Sequence, residues 1–141
     1  MKKILLLMIA ISSIANAQLK DGKYTAVSDG SIWFWYPYTE MVVKNGGVVE
    51  ATHDRIKKSG KKASQDKNYN TDMLKKVGVN PSMYSKMIPE NYFKSGKNLE
   101  KMDNVAGATD STVHFKKQMA LLLEKANNEG PGDYVIKKSD L

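Results

Sequence analysis

The tripeptide Asn45-Gly46-Gly47 constrains the fold of this chain more than any other local feature. It separates two runs rich in β-branched and aromatic residues, which span residues 31–43 and 48–53. Asn-Gly is the favoured pair for a two-residue hairpin because both positions must adopt positive φ angles. We therefore predict that the two runs pair as antiparallel strands and that residues 23–28 add a third strand.

The first of these runs is unusually aromatic. As a regular strand it would place Trp33 and Trp35 on one face and Phe34 and Tyr36 on the other. Pro37 cannot donate a ladder hydrogen bond, so it indicates a bulge or an edge position. Two interpretations of the aromatic side chains stay open at this point. They either pack in the core and against helices, or they form a slot for a flat aromatic ligand.

The second half of the chain has helical periodicity. The clearest helix spans about residues 112–127, with charged residues on the face opposite an apolar stripe. That stripe consists of Phe115, Met119, Leu122, Leu123 and Ala126. Residues 130–141 are expected to form a loose tail or an edge strand. Together these patterns predict an α+β fold, an antiparallel sheet packed with short helices and a C-terminal amphipathic helix, in one domain over residues 18–141.

Two shorter helices are expected between the hairpin and the last helix. The first covers residues 72–77, with Asn70 or Thr71 as its N-cap and Gly78 as its C-terminal stop. The second starts at Asn80-Pro81, with proline at the first helical position, and runs to about residue 88. Its apolar face, which we expect to contact the sheet, consists of Met83, Met87 and Ile88.

Residues 1–17 have the organisation of a signal peptide. Lys2 and Lys3 precede an apolar segment over residues 4–14, and Ala15-Asn-Ala17 provides a small-residue cleavage site. We therefore expect an exported protein, located in a periplasm or outside the cell. The sequence contains no cysteine, so we expect neither a lipid anchor nor disulfides or thiol catalysis.

The charge balance argues against a polyanion as the main partner. Without Lys2 and Lys3, 20 basic residues face 15 acidic ones, and the excess is spread along the chain. The densest group, over residues 57–62, is expected to be a solvated loop rather than a nucleic-acid or membrane site. His53 and His114 show no spacing typical of a metal site or a catalytic triad. We expect both histidines to be surface or capping residues, with no metal and no catalytic residue.

Residues 103–109, with the sequence Asp-Asn-Val-Ala-Gly-Ala-Thr, precede the last helix. The amide groups and macrodipole at a helix start favour an anion, and Gly107 and Ala108 leave room for one. Thr109 is either a helix cap or a point of attachment. Asp103 and Asp110 either cap the helix or help to hold a divalent ion beside a phosphate.

This heptapeptide resembles the Asp-x-x-Ser/Thr-Gly-Ala-Thr motif of FMN-binding domains. Such domains occur in the sodium-translocating NADH:quinone reductase, in related electron-transport complexes and in small exported flavoproteins. Residues 21–26 are similar to the opening strand of that family, and residues 42–49 are similar to its central hairpin. Residues 62–73 resemble a segment of the small exported members. The resemblance spans roughly residues 21–126.

The resemblance implies that a flavin transferase links FMN through its phosphate to the Thr109 hydroxyl. Asp103 would belong to the sequence that the transferase recognises. Gly107, Ala108, Asp110 and Ser111 would surround the attached phosphate. Ala106 departs from the motif, where serine or threonine is usual, and the missing hydroxyl would weaken a contact to the phosphate or to the transferase. Noncovalent FMN at the same turn is the alternative.

The same resemblance suggests which other residues contact the flavin and what role the protein has. Trp33, Trp35, Tyr36 and Tyr69 are candidates to contact the flavin ring, and Ser64 and Asp54 are further candidate site residues. The predicted function is that of an extracytoplasmic electron carrier whose redox donor and acceptor, unidentified, could lie in a membrane. A noncovalent flavoenzyme such as a reductase and a cofactor-free exported binding module are the alternatives.

Overall fold

The structure is a computed structural model that describes residues 19–141, so the predicted signal peptide lies outside the described residues. A four-stranded sheet carries three α-helices. In chain order the elements are β1 (Gly22–Ser28), β2 (Tyr36–Lys44), β3 (Gly47–Ile56), α1 (Lys67–Val77), α2 (Pro81–Lys94), α3 (Thr109–Asn128) and β4 (Gly132–Ile136). Short 3-10 turns cover Ala63–Gln65 and Lys138–Asp140. This architecture confirms the predicted α+β fold.

The sheet has the strand order β3-β2-β1-β4. The first three strands are antiparallel, whereas β4 pairs with β1 in parallel and forms an edge of the sheet. The predicted hairpin joins β2 to β3, with positive φ angles of 53° at Asn45 and 78° at Gly46. The Asp21 carboxylate accepts hydrogen bonds from both of these amides, at 3.0 and 2.9 Å. The turn therefore ties the hairpin to the start of β1.

The aromatic run does not form one strand, so the predicted alternation of its side chains is wrong. Trp33 and Phe34 adopt left-handed conformations with φ of 53° and 71°, and β2 begins only at Tyr36. Two backbone hydrogen bonds, at 2.7 and 3.1 Å, join Ile32 and Trp35 across this turn. A pair of residues with positive φ makes a tight turn, which overrides the strand propensity of the aromatic side chains.

Pro37 lies within β2, which is an interior strand. The last residue pair between β1 and β2 is Val27 with Tyr38, so Pro37 is paired with β3 alone. Because β1 does not extend to this position, the amide hydrogen that proline lacks removes no hydrogen bond to β1. Of the two alternatives predicted for this proline, the structure thus has the edge position, while the bulge in this strand pair lies between Val42 and Val43.

Helix α1 starts earlier than predicted. It begins at Lys67, and its N-cap is Asp66, whose carboxylate accepts a hydrogen bond from the Tyr69 amide at 3.0 Å. Asn70 and Thr71 are therefore helical residues rather than caps. Gly78 ends the helix as predicted, with φ of 84°.

Helix α2 is longer than predicted and uses a different face. It continues through Pro89 to Lys94, and its buried side chains are those of Tyr84, Ile88, Pro89 and Tyr92. Met83 and Met87 are exposed instead. Packing of this buried face offsets the hydrogen bond that proline removes from the helix. Within residues 19–141, no helix is long and apolar enough to cross a membrane.

Helix α3 begins at Thr109, three residues before the predicted start, and carries the predicted stripe. Phe115, Met119, Leu122 and Ala126 are fully buried. They join Tyr24, Ala26 and Met41 of the sheet and the aromatic face of α2 in one core.

Truncation of this stripe should cost much of the stability of the domain. We expect Phe115→Ala to lower the free energy of unfolding by about 3–5 kcal/mol, because it leaves a cavity in the core. Val113→Ala, on the exposed side of the same helix, should change it by less than about 0.5 kcal/mol. Denaturant unfolding followed by circular dichroism measures both. Similar losses for the two variants would contradict the packing described.

Candidate functional site

A surface cavity of about 580 Å³ opens at the N-terminus of α3. This volume lies within the range typical of small-molecule sites. The cavity is lined by Ile32, Trp33, Arg55, Tyr69, Met73, Tyr84, Gly107, Ala108, Thr109, Asp110 and Ser111. Five of the residues predicted from the heptapeptide and its helix thus line the same cavity as Tyr69.

The turn before α3 leaves the helix start without a side-chain cap. The N-cap is Ala108, and no side chain of residues 19–141 bonds to the amides of the first turn. The first intrahelical bond here runs from the Thr112 amide to the Ala108 carbonyl at 3.0 Å. Thr109 is the first helical residue and does not cap the helix. The amides of Thr109, Asp110 and Ser111 therefore have no partner within the helix, which makes them suitable donors to an anion.

The backbone conformation and close packing of this turn require glycine at position 107. Its φ is 83°, and a Cβ atom there would lie 2.8 Å from Cγ2 of Val79 and 3.2 Å from Cγ1 of Val77. The turn thus packs directly on the connection between α1 and α2. Glycine allows both the left-handed backbone and this close approach.

The Thr109 hydroxyl is held at the exposed rim of the cavity. Its oxygen accepts a hydrogen bond from Nδ2 of Asn104 at 3.1 Å. Asp103 and Ala106 are also exposed, but neither lines the cavity. The side chain of Asn91 fixes the loop by donating to the Asp103 carbonyl at 3.1 Å. Both of these motif residues consequently face solvent, where another protein can contact them.

The two polar cavity residues that sequence reasoning missed are Arg55 and Tyr84; the apolar Ile32 and Met73 were not predicted as site residues either. Arg55 lies in β3, two residues before the lysine-rich loop of residues 57–62. It donates from Nη2 to the Ser111 hydroxyl at 3.0 Å, and its buried Nε has no hydrogen-bond partner among the described residues. One signal was present in the sequence, since Arg55 is the single arginine among 22 basic residues.

The Tyr84 hydroxyl is also buried; it lies near Ser111 but makes no hydrogen bond of good geometry within residues 19–141. The side chain is 2% exposed and comes from the helix that packs beneath the turn. Burial raises the pKa of Tyr84, while the positive charge of Arg55 lowers it. An unpaired buried donor is costly, so Tyr84 and Arg55 provide two polar groups that a ligand can satisfy.

The other predicted residues lie around the cavity rather than in it. Trp35 is buried and packs on Tyr69, with ring centroids 5.3 Å apart and planes tilted by 35°. Tyr36 lies in β2 outside the lining. Asp54 accepts hydrogen bonds from the amide and hydroxyl of Ser64 and from the Arg55 amide, the last at 2.8 Å. Asp54 and Ser64 therefore hold the end of β3 in position and do not face the cavity.

The histidines are buried, so the prediction of surface or capping positions is wrong. His53 is fully buried, and its Nδ1 lies 2.8 Å from the Thr39 hydroxyl. That hydroxyl donates to Oε1 of Gln118 at 2.7 Å, so His53 must donate from Nδ1. Burial, followed by the charges of Arg55 and His114, lowers the pKa of His53 to about 3.

His114 is likewise neutral near pH 7, because burial and the charge of Arg55 lower its pKa. The two imidazoles therefore add no positive charge beside the guanidinium. Residues 19–141 contain no group of three histidine, aspartate or glutamate side chains arranged to hold a metal ion.

The chain is similar to two proteins, although no family model matches it. The 15 kDa lipoprotein of Treponema pallidum is 27% identical over 123 residues, which cover 86% of each chain. The name of that relative agrees with the expectation that this chain is exported. A crystal structure of a Clostridium perfringens protein has the same fold, with a TM-score of 0.76 and 23% identity. It covers 84% of this chain and 98% of that one.

Substitution of Gly107 should test how tightly the turn is placed. We expect Gly107→Ala to lower the free energy of unfolding by about 2–4 kcal/mol, because a left-handed alanine is strained and its Cβ overlaps Val79. Gly60→Ala is the matched control, since Gly60 has φ of 88° and no atom within 4 Å of the added Cβ. It should lose only about 1–2 kcal/mol. Equal losses in denaturant unfolding would mean that the contact with Val79 is unimportant.

Proposed function

We propose that this chain is an exported flavoprotein that carries FMN linked through its phosphate to Thr109 and serves as an extracytoplasmic electron carrier. One observation carries the proposal. An exposed threonine hydroxyl lies at a helix start that no side chain among the described residues caps, on the rim of a cavity of about 580 Å³. Two buried polar groups of that cavity have no hydrogen-bond partner in the same part of the chain. The resemblance of residues 103–109 to a flavin-attachment motif supports the same assignment.

The charges suit a phosphodiester. Such a group keeps one negative charge, which the first-turn amides and the positive end of the macrodipole of α3 favour. Arg55 adds a permanent positive charge. Its Nη2 donates to the Ser111 hydroxyl, and its Nε remains available to a ligand. The Tyr84 hydroxyl is a further donor. These groups would bind and orient the phosphate next to the Thr109 oxygen.

The aromatic and apolar residues of the lining suit the flavin ring. Tyr69 and Trp33 present aromatic side chains to the cavity, and Met73 and Ile32 add apolar surface. The packing of Trp35 against Tyr69 fixes the orientation of the Tyr69 ring. A flat conjugated ring between these side chains would be partly shielded from water. FMN supplies one- and two-electron redox chemistry when bound, while the protein sets its position.

Attachment requires an activated phosphoryl donor, because FMN itself has only a phosphomonoester. A flavin dinucleotide satisfies this need. The Thr109 oxygen loses its proton and forms a bond to the FMN phosphorus, the pyrophosphate bond breaks, and the nucleoside monophosphate leaves. No atom changes oxidation state. A flavin transferase would catalyse this step, and the exposed positions of Thr109 and Asp103 leave both accessible to it.

The alanine at position 106 should not weaken the contacts between the cavity and FMN. Its side chain is exposed and lies outside the lining, so a hydroxyl at this position would not reach the bound group from within the site. Any effect of the alanine would fall on recognition by the transferase.

Export is the second part of the proposal. It is supported by the signal-peptide pattern of residues 1–17 and by the similarity to a protein described as a lipoprotein. A periplasmic or extracellular location gives the covalent bond a purpose, because released FMN would be diluted away.

The covalent link makes a direct prediction about mass. After co-expression with a flavin transferase, the exported protein should gain the mass of FMN less one water, on the peptide that contains Thr109. Thr109→Ala should abolish the gain and remain folded, whereas Thr109→Ser, which keeps a hydroxyl, should retain it. Intact-mass and peptide mass spectrometry measure this. A Thr109→Ala protein with the full mass gain would refute the attachment site.

The phosphate contacts make a second, independent prediction. In protein made without the transferase, FMN should bind more tightly than riboflavin, which lacks the phosphate. Arg55→Met should reduce this preference by about tenfold or more, because a charge-assisted hydrogen bond is lost. Tyr84→Phe should reduce it by a smaller factor.

Lys57→Met is the matched control, since Lys57 lies outside the cavity lining and should leave the preference unchanged. Flavin fluorescence titration measures each affinity. Equal binding of FMN and riboflavin by the parent protein would exclude a phosphate site at this helix start.

A further inference from the structure

The turn formed by Trp33 and Phe34 is the most exposed apolar feature among residues 19–141. These adjacent side chains are 80% and 83% exposed, whereas the next most exposed large apolar side chain, Val135, is 64% exposed. Both residues also adopt left-handed conformations that are unfavourable for bulky side chains. Strained backbone and solvent-exposed aromatic rings both cost free energy, so this turn is a candidate for a binding role.

A lysine-rich loop lies beside this turn. Tyr36, where β2 begins, is paired with Ile56, where β3 ends, so residues 33–34 and 57–62 share one end of the sheet. Lys57 places its ammonium group 4.8 Å from the centre of the Trp35 ring. Backbone bonds between Lys57 and Lys61 at 2.9 Å, and between Ile56 and Lys62, order the loop.

The charges of this end are mostly positive. Lys61 is paired with Asp66 at 3.1 Å, and Asp54 is buried beneath the loop. Lys57, Lys58 and Lys62 are exposed. Aromatic residues at a tip with lysines around them are the combination that binds the interface of an anionic bilayer, where rings enter the headgroup region and ammonium groups meet lipid phosphates.

We propose that the Trp33–Phe34 turn and the lysines of residues 57–62 form a docking surface for a membrane that carries anionic phospholipids. This revises the expectation of a merely solvated loop, and the reason is the exposed turn, which the sequence pattern did not reveal. Because Trp33 also lines the cavity, a docked protein would have the cavity mouth close to the lipid surface. That consequence rests on the proposed function, whereas the docking itself does not require flavin.

Co-sedimentation with lipid vesicles tests the proposal. The exported Thr109→Ala protein is used, so that failure of flavin attachment cannot affect the result. It should sediment with vesicles of phosphatidylglycerol and phosphatidylcholine in equal parts, and not with phosphatidylcholine alone. The pair Lys58→Glu/Lys62→Glu should weaken partitioning by about tenfold or more. Its control, Lys44→Glu/Lys97→Glu, makes the same charge change near the opposite end of the sheet and should have little effect.

The apolar contribution is tested in the same assay. Phe34→Ser should weaken partitioning by about tenfold, because its ring no longer enters the interface. Val49→Ser, an exposed apolar position near the hairpin turn, is the control and should leave partitioning unchanged. In a Trp35→Phe variant, emission from Trp33 should shift to shorter wavelength on vesicle binding.

Three results would each overturn the proposal. One is failure of the parent protein to sediment with the anionic vesicles. Another is an equal loss in the test and control variants. The third is retention on immobilised polyglutamate that is as strong as vesicle binding and is unchanged in Phe34→Ser. That result would identify an acidic protein as the partner.

Discussion

The packing of one stripe of α3 on the sheet is the constraint on which the candidate site depends. The helix has 20 residues and is therefore about 30 Å long, so the burial of Phe115 and Met119 against β1 and β2 determines where its first turn lies. That first turn lies against Arg55 at the end of β3, where Arg55 donates to the Ser111 hydroxyl. The site consequently needs no separate framework, because the core that stabilises the domain also aligns the helix start with the arginine.

A buried polar network sets the position of the helix along the strands. Gln118 accepts from the Thr39 hydroxyl at 2.7 Å and donates to the Pro37 carbonyl at 2.9 Å, and His53 completes the chain. Apolar contacts tolerate small shifts along the helix axis, but these hydrogen bonds do not. A shift would leave Gln118 unpaired in the core, which is costly. The network thus holds the first turn of α3 at a defined distance from Arg55.

The elements that the sequence predicted are those specified by local chemistry. The Asn45-Gly46 turn and the C-terminal stop at Gly78 depend on backbone preferences of a few residues, and the stripe of α3 depends on a period that the sequence displays. The Trp33–Phe34 turn was missed because two aromatic residues with positive φ run against local propensity. Arg55 and Tyr84 were missed because only the pairing of β3 and the packing of α2 bring them to the same helix start. Neither relation is visible in sequence spacing.

The shape of the cavity also explains why a covalent bond would suit the proposed role. The cavity is open to solvent at Thr109 and Trp33, so it buries only part of a ligand, and partial burial limits noncovalent affinity. The proposed bond at Thr109 would replace that affinity with an effective concentration on the order of millimolar or higher, since the ring could move only as far as its ribityl chain allows. The ring would then remain near the surface, where a redox partner could reach it, without being lost. An open cavity, which is a weakness in a binding protein, is in this arrangement what an electron carrier requires.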